Sequence, residues 1–290
     1  MPALTSRGQG YLCAIAAPLC WSVGGVVMRT VETGPWEIVF WRALAHSICM
    51  PLLLVFVLRV PVMRDLRNAG GFYMLSALMV STTLILHVIA MTSTTVANAL
   101  LLQSVSPLIV ALLARFVLGE AVSAASWFAI ALAFAGLGLV VGASLGEGAL
   151  AGKLAALAVA VASAINVTII RKTRASLDLR SAQIPAALFA TLVAFLLCDP
   201  FQTSARDAWL LMGLGFVQMT LGINLFYSAL RRLSPVEVTL ITLLEPILGP
   251  IWTWLAVGEV PATGTMVGGG VLLAALVLNT LVAARAKAAA

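Results

Sequence analysis

The chain has 290 residues, of which 62% are hydrophobic and 10% are charged. Because a soluble domain carries charge on about a quarter of its residues, this composition excludes an ordinary soluble protein and predicts one that folds in lipid. The net charge of +6 does not indicate a nucleic-acid partner. The basic residues are scattered between apolar runs, as topology signals and lipid-headgroup contacts are.

Ten apolar segments are long enough to cross a bilayer, for which a helix needs about 20 residues. The first is predicted to be a retained helix and not a signal peptide, because no small-residue cleavage site follows it before the next span. The four cysteines lie inside apolar stretches without metal-ligand spacing and are predicted to be buried thiols. The predicted helices cover residues 9–30, 36–58, 70–91, 95–115, 124–143, 151–171, 180–198, 207–229, 235–256 and 262–284.

The orientation of these spans is predicted from the basic residues, which are enriched in cytoplasmic loops. With the N-terminus in the cytoplasm, the outer side carries only Arg29, Lys153 and Arg206. Because the number of spans is even, the C-terminus is then predicted to be cytoplasmic as well. If one span were missing from the count, every later loop would change sides and the excess of basic residues on the inner side would be lost. The inner side carries Arg7, Arg59, Arg64, Arg67, Arg115, Arg171, Lys172, Arg174, Arg180, Arg231, Arg232, Arg285 and Lys287.

The sequence contains an internal repeat. Residues 107–120 return as residues 246–259, and in both copies a proline precedes a Gly-Glu pair at the same distance. The chain is therefore predicted to consist of two five-helix repeats, 1–145 and 146–290. Because five is odd, the second repeat enters the membrane upside down. Inverted repeats of this kind build transporters that expose one central site to alternate sides.

The motif also supports a family resemblance. Its first copy closes with Leu-Gly-Glu at 118–120, its second opens with Leu-Glu-Pro at 244–246, and Trp21 and Arg42 lie in the first two helices. In these features the chain resembles the EamA repeat of the drug/metabolite transporter superfamily, and in layout the YddG-type aromatic amino-acid exporters. The resemblance implies a basket of ten helices around a central cavity, secondary active export of small metabolites, and no cofactor. It implies no ATPase, and the sequence contains no phosphate-binding loop.

Glu245 is the strongest candidate for a functional residue. The first repeat has Ser106 at the corresponding position, so the symmetry between the repeats is chemically broken. A carboxylate within a span costs about 3 kcal/mol, and we expect it to face a cavity or a partner. Pro246 and Pro250 are predicted to bend or loosen the helix there, which would make a site for an ammonium group or a coupling proton. The alternative is that Glu245 bonds a neighbouring helix and only sets its angle.

Other candidates are placed by helical period. Thr242 and Trp252 share the face of Glu245, and Gln103 is the repeat counterpart of Thr242. His87 lies deep in the third helix, where a histidine can carry a proton near neutral pH. For each polar candidate, helix packing without substrate contact is the alternative. The predicted substrate contacts are Trp21, His87, Met91, Asn98, Gln103, Asn166, Asn224, Tyr227, Thr242, Glu245 and Trp252, with Glu245 and His87 as candidates for proton coupling.

Two further features are assigned to helix packing and anchoring. Glycine pairs with GxxxG spacing, at 138–142 and 264–268, predict close contact between helices. Arg42 is expected to reach the outer headgroups or to meet Glu37.

The function predicted from these features is secondary export of aromatic and other neutral amino acids, or of related small metabolites, by a monomer in a bacterial inner membrane. The expected partners are the substrate, membrane lipid and protons. Transport of another small metabolite or a drug is the alternative within the superfamily. A membrane-embedded enzyme is disfavoured, because no convergent catalytic set is visible, and no filter signature indicates a channel.

Overall fold

The structure is a computed structural model, and it describes residues 6–117, 119, 124–142, 149–172 and 179–288. Ten helices in these ranges are long and apolar enough to cross a membrane. They confirm the ten predicted spans, with ends that differ by a few residues. In chain order the spans are α1 Ser6–Thr30, α2 Pro35–Val57, α3 Gly71–Ser93, α4 Val96–Val117, α5 Ala124–Gly142, α6 Leu150–Lys172, α7 Arg180–Leu197, α8 Ala205–Leu230, α9 Glu237–Val257 and α10 Thr263–Val282.

The packing of the spans follows the two inverted repeats. The first helix of each repeat packs against the other repeat: α1 lies against α8 and α9, and α6 lies against α3 and α4. Two further pairs join counterparts, α2 with α7 and α5 with α10. The helices therefore form two related walls, one of α3, α4 and α6 and one of α1, α8 and α9. Because ten spans are an even number, the start of α1 and the end of α10 lie at the same end of the bundle, which we call the termini side.

A close backbone contact joins α5 to α10. A β-carbon on Gly136 would lie 2.7 Å from the carbonyl oxygen of Gly268, and one on Gly268 would lie 2.7 Å from that of Gly136. The predicted close contact at 138–142 was wrong, because Gly138 and Gly142 meet nothing within 4 Å. A shift of two residues turns a side chain by about 200° around a helix with 3.6 residues per turn, so these glycines lie away from the contact.

Two spans, α4 and α9, are broken near their centres. The halves of α4 are Val96–Gln103 and Ser106–Val117, and those of α9 are Pro235–Thr242 and Leu244–Val257. A proline follows each break, and its ring lacks an N–H and clashes with the carbonyl four residues earlier. Those carbonyls belong to the last residues of the first halves. The predicted loosening of α9 is confirmed before Pro246, whereas Pro250 lies inside the second half without a break.

The two walls meet on the side of the membrane opposite the termini, which we call the far side. There a β-carbon on Gly25 would lie 2.8 Å from Val96, and one on Gly249 would meet Leu100. The halves on the termini side, Ser106–Val117 and Pro235–Thr242, are not closely packed against each other in the described chain. The interior is therefore closed toward the far side and less tightly packed toward the termini.

Candidate functional site

The break in α4 presents a polar side chain to α3. Nδ1 of His87 and Oε1 of Gln103 are hydrogen-bonded at 2.8 Å. The second ring nitrogen of His87 and the amide nitrogen of Gln103 are buried and have no partner among the described residues. Whichever way the amide is oriented, the pair keeps one free donor and one free acceptor. Each unpaired group costs about 1–3 kcal/mol, so the pair suits a polar ligand or water.

The break in α9 places Glu245 in the first turn of a half-helix. The positive end of the helix dipole there offsets part of the cost of the charge. The side chain is half-buried, and no hydrogen bond or ion pair joins its carboxylate to the described part of the chain. On the helices packed against this half-helix, charged side chains lie only near their ends, at Arg7, Arg29 and Glu237.

Thr242 ends the first half of α9. Its hydroxyl already has a hydrogen-bond partner, whereas the amide nitrogen of Gln103, its counterpart, has none among the described residues. Its hydroxyl donates to the carbonyl of Thr239 at 2.8 Å, a bond within its own helix. Both residues are half-buried. The two breaks are therefore alike in backbone but different in chemistry, with an amide at one and a hydroxyl and a carboxylate at the other.

The two candidate tryptophans lie where α1 packs against α8 and α9, and both are half-buried. The indole of Trp252 donates to Oγ of Ser22 at 3.1 Å. Trp21 lies over Gly222, where a β-carbon would meet its indole nitrogen, and its ring is 5.7 Å from that of Phe226. Both indoles therefore lie at the contact of α1 with α8 or α9, in the second wall.

Three predicted contacts are enclosed by protein in this structure, which favours packing over substrate contact. Met91 is 1% exposed and lies in the hydrophobic core. Asn98, also 1% exposed, accepts a hydrogen bond at 2.8 Å from Thr265 of α10. Asn224 donates to Sδ of Met50 on α2 at 3.3 Å and to the carbonyl of Thr220 on its own helix at 2.8 Å. Their polar or flexible side chains join helices, and helical period alone does not identify those partners.

Asn166 and Tyr227 are half-buried but are also bound to neighbouring helices. Oδ1 of Asn166 accepts from Oγ of Ser76 at 2.6 Å, which joins α6 to α3. The guanidinium of Arg180 lies 5.8 Å from the centre of the Tyr227 ring. Both side chains therefore have partners on neighbouring helices, which favours helix packing for them.

A buried polar cluster between α2 and α8 was missed by the sequence interpretation. The expectation that Arg42 reaches headgroups or Glu37 was wrong: it is 1% exposed, and its guanidinium donates to Oε1 of Gln218. Nδ1 of His46 lies 2.9 Å from Oγ1 of Thr220. Spacing gave one usable signal, since residues 42 and 46 share a face of α2. Residues 218 and 220 lie in a π-helical segment, Gly215–Leu221, which helical period does not predict.

The Gly-Glu pair of the second repeat closes the far side. Gly258 ends α9 with φ of 71°, a left-handed conformation that favours glycine. The turn brings Glu259 back to α4, where its carboxylate accepts from the backbone N–H of Val96 at 2.7 Å. Glu259 also pairs with Arg29 at 2.8 Å, and Arg29 donates to the carbonyl of Thr94 at 2.6 Å. We call these contacts the far-side latch.

The first copy of the motif is only partly visible. Gly119 has φ of 69°, the same left-handed conformation as Gly258. Leu118 and Glu120 lie outside the described residues. An open cleft of about 450 Å³ adjoins the far-side latch and is distinct from the groups at the helix breaks. Within the described ranges, no group of three or more His, Cys, Asp or Glu side chains is placed to hold a metal ion.

Comparison with known proteins agrees with the two repeats. A crystal structure of a protein with 17% sequence identity matches with a TM-score of 0.67, covering 96% of this chain and 98% of the other, and so has the same fold. No curated protein matches the chain. The model of the EamA-like transporter family matches twice, at residues 8–142 and 150–281. The chain therefore belongs to the EamA-like transporter family.

Proposed function

We propose that the protein exports aromatic and other neutral amino acids, or related small metabolites, across a bacterial inner membrane with both termini in the cytoplasm. The observation that carries this proposal is the pair of broken helices, α4 and α9, related by the inverted repeat. In transporters built in this way, broken helices form the substrate site near the membrane midplane. Another small metabolite or a drug is the alternative substrate within the same superfamily.

The groups at the two breaks suit a zwitterion with an apolar side chain. The Glu245 carboxylate is half-buried and has no partner among the described groups, so an ammonium group would neutralise it. The free donor and acceptor of the His87–Gln103 pair would bind further polar atoms. Trp21 and Trp252, on α1 and α9, offer aromatic surface for the body of the substrate. Thr242 lies one turn from Glu245 at the same break.

Alternating access is supported by the asymmetry of the closure. The far-side latch joins Glu259 and Arg29 of one wall to Val96 and Thr94 of the other. In an inverted repeat, the opposite state is reached when the two walls exchange which of their ends is in contact. Release of the latch would then open the far side while the halves on the termini side approach each other.

Protons are proposed as the coupling ion, with Glu245 and His87 as the groups that carry them. A carboxylate and an imidazole inside a bundle are the usual members of proton relays in transporters. If substrate and proton compete for Glu245, binding of one releases the other, which gives exchange without any covalent chemistry.

Flux into proteoliposomes tests the proposal. Purified protein is reconstituted, and uptake of radiolabelled Phe, Trp, Thr and Met is measured with and without an imposed pH gradient. The expected result is saturable uptake of at least the aromatic amino acids, stimulated by the gradient. Protein-free liposomes are the control. Absence of flux for all four amino acids would contradict the proposed substrate class.

A further inference from the structure

Arg42 is a cation inside the membrane without an acidic partner in the described chain. It is 1% exposed, and its guanidinium donates to the neutral amide oxygen of Gln218. Its Nε is buried and has no hydrogen-bond partner within the described ranges. By contrast, Arg29 and Arg7 pair with the carboxylates of Glu259 and Glu237, both at 2.8 Å. An unpaired charge at such a place is costly, and in membrane proteins it usually indicates a functional site.

The surroundings of Arg42 hold its guanidinium in a fixed place. Gln218 donates in turn to the backbone carbonyl of Trp21 at 2.8 Å. Gly215 allows α8 to approach the backbone of Arg42, since a β-carbon there would meet its carbonyl oxygen. Gly24 leaves space for the Gln218 amide in the same way. The guanidinium is therefore positioned by α1, α2 and α8 together.

Arg42 is joined through Gln218 to the proposed aromatic surface of the site. Gln218 bonds the carbonyl of Trp21, and the adjacent Ser22 accepts from the indole of Trp252 on α9. Among the described residues, the interior thus contains a cation at Arg42 and a carboxylate at Glu245 that have no oppositely charged partner. A zwitterion carries the two opposite charges that would pair with these groups.

We propose that Arg42 binds the carboxylate of the transported substrate, which replaces the Gln218 amide oxygen on the guanidinium; this rests on the proposed function. A carboxylate matches the fork of an arginine with two parallel hydrogen bonds, and such bonds are about twice as strong as neutral ones. Gln218 therefore acts as the resting partner of Arg42. Gln218 also donates to the carbonyl of Trp21. When the substrate carboxylate replaces Gln218 on Arg42, the released amide therefore changes a contact with α1.

Two analogues of phenylalanine separate the charged groups of the substrate. Phenylalanine amide keeps the ring and the ammonium group but lacks the carboxylate, and 3-phenylpropionate keeps the ring and the carboxylate but lacks the ammonium group. Each is tested as a competitor of labelled phenylalanine uptake in proteoliposomes. The wild type is expected to prefer phenylalanine over the amide by about tenfold, which corresponds to 1.4 kcal/mol. In Arg42→Gln this preference is expected to vanish, with competition by the amide unchanged.

Controls separate binding from folding. Arg42→Lys keeps the charge but not the fork and is expected to retain only part of the preference. Arg64→Gln removes an exposed guanidinium, 62% of whose side chain is accessible, and is expected to keep the whole preference. Equal loss of phenylalanine and amide competition in a folded Arg42→Gln protein would overturn the inference. So would a wild type that does not distinguish the two compounds.

A binding measurement keeps the inference testable if no amino acid is transported, which would contradict the proposed function by itself. Calorimetry of the detergent-solubilised protein is expected to show binding of 3-phenylpropionate to the wild type and none to Arg42→Gln. Equal binding to both proteins would overturn the inference. Transport that requires chloride in the wild type but not in Arg42→Gln would also overturn it, by identifying an inorganic ion as the occupant.

Discussion

Single residues decide the chemistry that this bundle can perform. The repeat gives α4 and α9 the same break, but Ser106 stands in one and Glu245 in the other. The carboxylate lies at the start of a half-helix, half-buried and without a partner among the described residues. A structural role would require such a partner, so its absence there favours binding of an ammonium group or a proton.

Replacing Glu245 with glutamine tests this role. The amide keeps the size of the side chain but cannot ionise, so we expect substrate flux to lose its dependence on pH and the pH gradient to stop driving uptake. Counterflow, in which labelled substrate exchanges for unlabelled substrate without a gradient, separates coupling from binding. Ser106→Glu is the matched variant, since it places a carboxylate at the corresponding position of the other break. Glu245→Gln with an unchanged pH profile would assign Glu245 to packing.

A second prediction at this scale concerns Gly258. Its left-handed backbone is strained for any residue with a β-carbon, at a cost of about 1–2 kcal/mol. Gly258→Ala is therefore expected to lower the apparent melting temperature in detergent and to weaken the far-side latch. Gly138→Ala is the control, because that glycine is helical and meets nothing within 4 Å. Equal melting temperatures for the two variants would contradict the role given to Gly258.

Elements were predicted well where apolar length determines them. All ten spans follow from hydrophobic runs, because a helix that crosses lipid must be apolar for its whole length. The break in α4 was not predicted, since Pro107 was interpreted only as part of the repeat. The partners of Asn98 and Arg42 come from helices distant in sequence. Helical period shows which face a side chain occupies but not which helix covers that face.

The contact between α5 and α10 gives an element-scale prediction. The backbones touch at Gly136 and Gly268, where added β-carbons would lie 2.7 Å from a carbonyl oxygen. Gly136→Leu is expected to separate the two helices and lower the yield of folded, monodisperse protein. The control is Gly142→Leu, on the same helix, where nothing lies within 4 Å. Size-exclusion chromatography after mild heating compares them, and equal behaviour would contradict the close packing.

The far-side latch gives a second prediction at the scale of elements. Its charge-assisted bonds are each worth about 1.5–3 kcal/mol, so Glu259→Gln is expected to shift the protein toward the state open on the far side by about tenfold. The measurement is alkylation of a cysteine placed at Thr95 in a background without the four native cysteines. Glu237→Gln is the control, because Glu237 pairs with Arg7 at the opposite end of α9. An unchanged alkylation rate in Glu259→Gln would contradict the latch.

The whole molecule is two five-helix repeats of opposite direction whose first helices are exchanged. Because α1 lies in the wall of α8 and α9, and α6 in the wall of α3 and α4, each wall contains helices of both repeats. In the proposed alternating access, each wall would move as a unit, and closure of one side would accompany opening of the other.

Distances between the walls test this account most directly. Spin labels at Thr92 and Val260 report the far side, and labels at Phe116 and Arg232 report the termini side. Electron resonance distances are measured in bilayers while pH and phenylalanine are varied. The account predicts that the far-side distance lengthens as the termini-side distance shortens. Two distances that stay fixed, or that change in the same direction, would contradict alternating access.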